Sequence, residues 1–293
     1  MKYKITHTTA YQYALSVSNC YNLAYVIPRN TETQQVESVD IVLAPSATTR
    51  NTRTDYFGNQ LFQFSIEKDH RELSLTVTSV ITVKDFAANN NLDFGNPCSY
   101  VSYLLKHSTD MESLKAREFM LDSAMVQQHS YLAEYAIQSF SDERPFLSAV
   151  LDLTQRIFTD FTYDPQFSDV ATPLADVFKH KRGVCQDFAH LAIGCLRSLG
   201  YPARYVSGYL ETLPPPGQQK LVGADATHAW FAVYSPGEGW YEFDPTNNKM
   251  VGEQYITTAW GRDYADVTPL KGVIFGGGHS PQLMVSVDVQ RID

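Results

Sequence analysis

The sequence predicts an α+β protein in two domains: an N-terminal antiparallel β-sandwich over residues 1–90, and a mixed helix-and-sheet unit over residues 91–293. Three observations predict it. Residues 1–85 read as short runs of alternating apolar and polar side chains separated by turn residues, the period of half-buried strands. Further along, Phe188, Leu191, Ala192, Cys195, Leu196 and Leu199 follow the 3.6-residue period of a helix with one buried stripe. The charge divides between the two regions as well. Residues 1–90 hold eight basic and eight acidic side chains, so the whole net charge of −9 falls on residues 91–293.

The clearest strand runs from Glu72 to Val83, where Leu73, Leu75, Val77, Ile81 and Val83 alternate with polar neighbours. Tyr3–Tyr13, Cys20–Ile27 and Val36–Leu43 read as others, and Tyr56-Phe57-Gly58-Asn59-Gln60 as a hairpin turn between two more. Short strands with turns between them point to a sandwich. No catalytic group stands out there, so this domain is assigned a structural or substrate-positioning role. Asn89-Asn90-Asn91 and Gly95-Asn96-Pro97 read as a linker. Pro145 suits a first helical position after Ser141 or Asp142, and Leu147, Val150, Leu151, Ile157, Phe158 and Phe161 then mark an apolar face. Thr172-Pro173-Leu174 repeats that start. The helix after Cys185 stops at Gly200, and Pro202 prevents its return. Ala203–Leu210 is a strand, Pro214-Pro215-Pro216-Gly217 a loop, His228–Tyr234 a strand, Ser235–Gly239 a turn and Trp240–Phe243 the returning strand.

Composition excludes several classes. With 44% hydrophobic and 19% charged residues the chain is globular rather than disordered. Its acidic balance opposes nucleic-acid binding, which needs a basic surface. No apolar run approaches the roughly 20 residues of a membrane helix, and the N-terminus has no secretory pattern, so a cytoplasmic protein is expected. Cys20, Cys98, Cys185 and Cys195 form neither a disulfide framework nor a CxxC pair. No metal site and no cofactor are expected, since the histidines lack metal-ligand spacing and Gly276-Gly277-Gly278-His279 lacks the features of a phosphate loop.

Cys185, His228 and Asp244 carry the functional signal. Cys185 opens its helix, His228 follows 43 residues later and Asp244 another 16. A thiol, an imidazole and a carboxylate are the parts of a nucleophilic acyl-transfer site. A helix start favours a thiolate through its unpaired N–H groups and dipole, and the Cys185 N–H could donate to an oxyanion. Cys195, on the apolar stripe, should be buried and inert. In the hairpin, a three-residue loop puts His228 opposite Asp244. A five-residue loop makes them diagonal neighbours with Cα atoms roughly 7–8 Å apart. An even-numbered loop sends them to opposite faces. His228 would take the thiol proton and Asp244 would hold the imidazole. Asp187 reads as a cap-like residue, Tyr163 as a core or rim aromatic, His190 as structural, and Gly261–Asp266 as a loop at the cleft. Lys179-His180-Lys181-Arg182 reads as a solvated loop that could also add positive potential near Cys185.

Gly183-Val184-Cys185-Gln186-Asp187-Phe188-Ala189-His190-Leu191 resembles the nucleophile motif of the bacterial transglutaminase-like family, a branch of the papain-like thiol enzymes. Leu199-Gly200-Tyr201-Pro202-Ala203-Arg204-Tyr205-Val206-Ser207-Gly208-Tyr209, Thr227-His228-Ala229-Trp230 and Asp244-Pro245-Thr246-Asn247 resemble its following motifs, and residues 1–85 the β-domain that commonly precedes this core. The resemblance implies a Cys185–His228–Asp244 triad and a papain-like, transglutaminase-like core with the cysteine helix packed on an antiparallel sheet. The family includes transglutaminases, peptidases, amidases and inactive scaffolds. The expectation is a cysteine peptidase or amidase acting on a peptide or protein, with a protein-glutamine transglutaminase and a catalytically silent peptide-binding scaffold as alternatives. Calcium dependence is not implied, for no calcium-loop pattern is present.

Overall fold

A computed structural model describes residues 1–84, 92–212 and 227–292. The expected linker Asn89-Asn90-Asn91 and loop Pro214–Gly217 lie outside them. Five strands open the chain: β1 (Lys2–Ala24), β2 (Gln34–Ala44), β3 (Thr49–Thr54), β4 (Gln60–Ile66) and β5 (His70–Val83). Then come α1 (Cys98–His107), α2 (Met111–Ala116), α3 (Ser130–Ala136), α4 (Phe146–Asp160), β6 (Thr162–Tyr163), α5 (Leu174–His180), β7 (Arg182–Gly183) and α6 (Cys185–Ser198). The chain continues through β8 (Ala203–Leu210), β9 (Thr227–Ser235), β10 (Gly239–Asp244), β11 (Lys249–Met250), β12 (Tyr255–Gly261), β13 (Leu270–Gly276) and β14 (Gln282–Arg291).

The N-terminal strands are antiparallel, as the alternation predicts. They are hydrogen-bonded into one sheet of seven strands. The reason is β1. Its two expected pieces are one strand of 23 residues, irregular between Gln12 and Val17. Up to Gln12 it pairs with β5 and β14; beyond the irregularity it pairs with β4 and β13. The sheet thereby encloses Val17, Cys20, Phe62, Phe64, Leu73, Leu75 and Val77 in one core. Strands β13 and β14, from the C-terminal part of the chain, complete this sheet by pairing with β1.

The second sheet has the order β11-β10-β9-β8-β12. Helix α6 packs on it through Phe188, Leu191, Ala192, Cys195 and Leu196, against Tyr205, Ala229, Phe231 and Val233. It is buried on more than the expected stripe, for Asp187, His190, Ile193, Gly194 and Arg197 are buried too. Elements ahead of it cover its other side. A Cβ on Gly194 would stand 2.9 Å from a methyl of Leu132 of α3 and 3.2 Å from one of Leu174 of α5, so a larger residue would require these side chains to shift. Arg197 is tolerated inside because its guanidinium donates to the carbonyls of Phe119, Ala203 and Arg262 and to Ser123 Oγ. Helix α4 begins after Pro145 and buries Leu147, Val150 and Ile157, but Phe158 turns outward and is exposed.

The two sheets meet along β12 and β8. Two side-chain amides from the N-terminal region imitate a strand against β12. Gln34 donates to Thr257 O at 2.8 Å and accepts from Thr257 N at 2.8 Å. Asn59 donates to Trp260 O at 2.8 Å and accepts from Trp260 N at 2.9 Å. These bonds, with the Arg29 N–H donating to Thr257 O at 3.3 Å, satisfy backbone groups at the edge of the five-stranded sheet. Among the described residues no helix is long and apolar enough to cross a membrane.

Candidate active site

Cys185 stands at the first position of α6 and is the one partly exposed cysteine of the four; the other three are buried. The turn before it is fixed from several directions. Val184, extended at φ −114°, has no polar side chain to cap the helix. Asp187 takes that role, its Oδ2 accepting the Val184 N–H at 2.8 Å and the Ser168 hydroxyl at 2.5 Å. The Asp187 carboxyl lies so close to Gly183 that a Cβ there would meet it at 2.7 Å. Burial raises the pKa of Asp187 even against these two bonds. Beyond Gly183, β6 and β7 pair in parallel, and the Lys181 ammonium lies over the rings of Phe178 at 4.1 Å, Phe161 at 4.2 Å and Tyr135 at 4.9 Å. Arg182 lies 3.7 Å from Asp164. Two cations of the basic cluster thus have partners on neighbouring elements.

The hairpin takes an odd register. Gly239 pairs with Ser235 and Phe243 with Phe231, the arrangement expected of the five-residue loop. His228 and Asp244 are therefore diagonal neighbours on one face, and His228 Nε2 donates to Asp244 Oδ2 at 2.7 Å. Asp244 is fully buried, yet its acceptor positions are filled. Oδ2 also accepts from Tyr255 OH at 2.6 Å and Asn247 Nδ2 at 2.6 Å, and Oδ1 from the backbone N–H groups of Thr246 at 2.8 Å and Asn247 at 3.2 Å. Burial pushes this carboxyl up; the bond and charge of His228 and the donors Asn247 and Tyr255 outweigh it and hold the pKa below the ordinary value.

The His228 ring joins the other two groups. With Nε2 committed to Asp244, Nδ1 is the nitrogen left for Cys185, whose thiol lies close enough to raise the ring's pKa. Burial works against a charged ring, but the bonds and charges of Asp244 and Cys185 prevail and raise its pKa to about 10. All three sequence-derived residues are thus in one chain of contacts.

The remaining candidates fall outside that chain. Tyr163 is exposed beside the site, its ring edge-on to Phe188 at 6.5 Å, and Cys185 adds to the rise that burial gives its pKa. His190 is buried and accepts the Tyr264 N–H at 3.1 Å, and burial lowers its pKa to about 4. That bond ties the loop Gly261–Asp266 to α6. Cys195 is fully buried, and burial pushes its thiol up to about 12. Tyr255 and Asn247 are the site residues that the sequence reading did not single out. Asn247 lay within a quoted motif, but Tyr255 comes from β12, at the far edge of the sheet, where no local pattern signals it.

Comparison with known proteins places this geometry. Residues 3–82 match the bacterial transglutaminase-like N-terminal region, and residues 132–245, which include Cys185, His228 and Asp244, match the transglutaminase-like superfamily. An uncharacterised protein of Mycobacterium tuberculosis is 37% identical over 98% of this chain and 92% of its own length. One of Mycobacterium leprae is 31% identical over 99% of this chain and 98% of its own. A protein-glutamine gamma-glutamyltransferase of Pseudomonas aeruginosa is 38% identical over 24% of this chain and 11% of its own length. The solved structure of a Cytophaga hutchinsonii protein, provisionally assigned as a cysteine protease, shares the fold with a TM-score of 0.77 at 24% identity, covering 100% of this chain and 91% of that one. The chain belongs to the bacterial transglutaminase-like family.

Proposed function

We propose that this protein is a cysteine-dependent enzyme that cleaves an amide or isopeptide bond of a peptide or protein through an acyl-Cys185 intermediate. The observation that carries the reading is the shared contact chain Cys185–His228–Asp244, with the buried carboxylate 2.7 Å from Nε2. In the forward half-reaction His228, whose pKa of about 10 keeps the ring protonated, holds the proton given up by Cys185 at Nδ1, and sulfur attacks the carbonyl carbon. The N–H of Cys185, at the helix start where no intrahelical acceptor exists, faces the developing oxyanion. The C–N bond then breaks, and Nδ1 returns the proton to the leaving amine. Water, deprotonated by the same nitrogen, attacks the thioester and releases the carboxylic acid and the thiol. Asp244 keeps Nδ1 turned toward sulfur and stabilises the imidazolium throughout.

Amine transfer is the second reading, supported by the local similarity to the Pseudomonas protein-glutamine gamma-glutamyltransferase. It shares every step up to the thioester and differs in the resolving nucleophile. Incubating a peptide-amide library with the wild type and with Cys185→Ala, with and without an added primary amine, separates the possibilities. The expected result is a carboxylic-acid product from the wild type alone. Incorporation of the amine in its place establishes transfer, and equal turnover by the two proteins removes the thiol mechanism.

A further inference from the structure

The hairpin that carries His228 and Asp244 repeats their arrangement one step deeper. Trp230 follows His228 by two residues on β9, and Glu242 precedes Asp244 by two on β10, so each shares a face with its neighbour. Trp230 Nε1 donates to Glu242 Oε2 at 2.7 Å, the same separation as His228 Nε2 to Asp244 Oδ2. A ring N–H meets a carboxylate diagonally across the ladder in both cases.

The indole of the deeper pair lies against two of the three side-chain partners of Asp244. The Trp230 indole is fully buried and lies 6.0 Å from the His228 ring and 5.2 Å, edge-on, from the Tyr255 ring. These are the two rings whose polar atoms converge on Asp244 Oδ2. The indole orientation therefore bears on the placement of both donors, and Glu242 fixes that orientation.

Glu242 is itself held by charge. It pairs across β9 with Ala232, which pairs on its other side with Arg204 of β8, so Glu242 and Arg204 occupy one rung with only a methyl side chain between them. The Arg204 guanidinium lies 4.1 Å from the Trp240 ring and 3.7 Å from the Trp260 ring. Arg29, from the N-terminal region, lies 3.2 Å from Trp260 and also acts on Glu242 by its charge. We propose that Trp230 and Glu242 are positioning residues: Glu242, countered by Arg204, locks the indole that sets the His228 and Tyr255 rings on Asp244.

This inference rests on the reading of Cys185, His228 and Asp244 as the reacting groups, and its test is arranged to survive failure of that reading. The titratable and charged groups facing His228 and its partners are Cys185 from α6, Asp244 and Glu242 from β10, and Tyr255 from β12. Lys249 of β11 lies over the Tyr255 ring, and Arg204 of β8 lies beyond Glu242. The bonds from Asp244 and Cys185 raise the His228 pKa, so a looser ring titrates lower.

In Trp230→Phe and Glu242→Gln the His228 midpoint, followed through the ring proton resonances by NMR, is expected to fall by about one pH unit. Where amide turnover is measurable, kcat falls about tenfold with KM unchanged, the loss of one bond to a charged group. A lower midpoint without turnover in the wild type keeps the positioning role and removes the amide-bond reading. Turnover with an unmoved midpoint in cooperatively folded Glu242→Gln overturns the positioning role, and that variant alone decides if Trp230→Phe does not fold.

Discussion

Two largely enclosed histidines, in two regions of the molecule, carry opposite charge preferences. His7, on β1 where the N-terminal sheet meets β8, is bonded at Nδ1 to Tyr209 OH at 2.8 Å and at Nε2 to Thr9 Oγ1 at 2.9 Å. Both partners are neutral hydroxyls, and burial alone lowers the ring's pKa to about 4. His228 is comparably enclosed, but its partners are a carboxylate and a thiol, and its pKa rises to about 10. Burial opposes the charged ring in both places; a charged partner reverses the outcome in one. Each region also contains a buried tyrosine. At His7 the hydroxyl meets the ring itself, whereas at His228 it meets the carboxylate behind the ring and leaves the second nitrogen for the thiol.

The largest expected effect comes from making the second region resemble the first. Asp244→Asn replaces the carboxylate partner of His228 with a neutral amide and leaves only Cys185 to oppose burial. The His228 pKa should fall from about 10, and kcat for the amide substrate should drop by about ten-thousandfold, as in established nucleophile–histidine–aspartate sites. Activity within tenfold of wild type would refute the role of Asp244 as the group that orients the imidazole.

The next effect is on stability and concerns the first region. Between pH 6.5 and about 4 the unfolded chain binds a proton that folded His7 does not, so the unfolded state is favoured as pH falls. Stability from this source is complete above 6.5 and is lost at about 1.4 kcal/mol per pH unit toward 4, for His7 and equally for His190. His228 has the opposite sign: its pKa is raised on folding, so its contribution is present below 6.5 and is lost as pH rises toward 10. Urea unfolding of His7→Gln at pH steps from 7 to 4.5 should show about half the acid slope of the wild type that these two rings contribute. An unchanged slope would mean that His7 is not held neutral by the fold.

How much of this was legible in the sequence differs by region. The core was legible because its signals are local. The stripe Phe188–Leu199 specifies one helix, and Cys185, His228 and Asp244 stand at ends of elements whose patterns are short and regular. The hairpin register was narrowed to odd loops by the requirement that two side chains share a face, and the observed pairing is one of the two allowed. The N-terminal region was legible strand by strand but not in its connection. Whether alternating strands form two sheets or one depends on pairings between distant segments, such as Tyr3 with Arg291, and no local period encodes these. The return of β13 and β14 and the Gln34 and Asn59 bonds to β12 were missed for that reason. So was Tyr255, whose hydroxyl reaches Asp244 only because β12 closes the sheet on the far side of β8.

The smallest effects separate the two side-chain donors that share Asp244 Oδ2 with His228. Tyr255 OH is buried, so in Tyr255→Phe no solvent group can replace the lost bond at the carboxylate, and kcat should fall about tenfold. Asn247 is exposed at the mouth of the site, where water can substitute for its amide; Asn247→Ala should lower kcat by only about threefold. Both changes remove a bond that lowers the Asp244 pKa, so in both the acid limb of the kcat profile moves upward. Reversal of this order, with Asn247→Ala the more damaging variant, would show that the exposed amide does more than support the carboxylate, and would move it from the surroundings of Asp244 to the reacting groups.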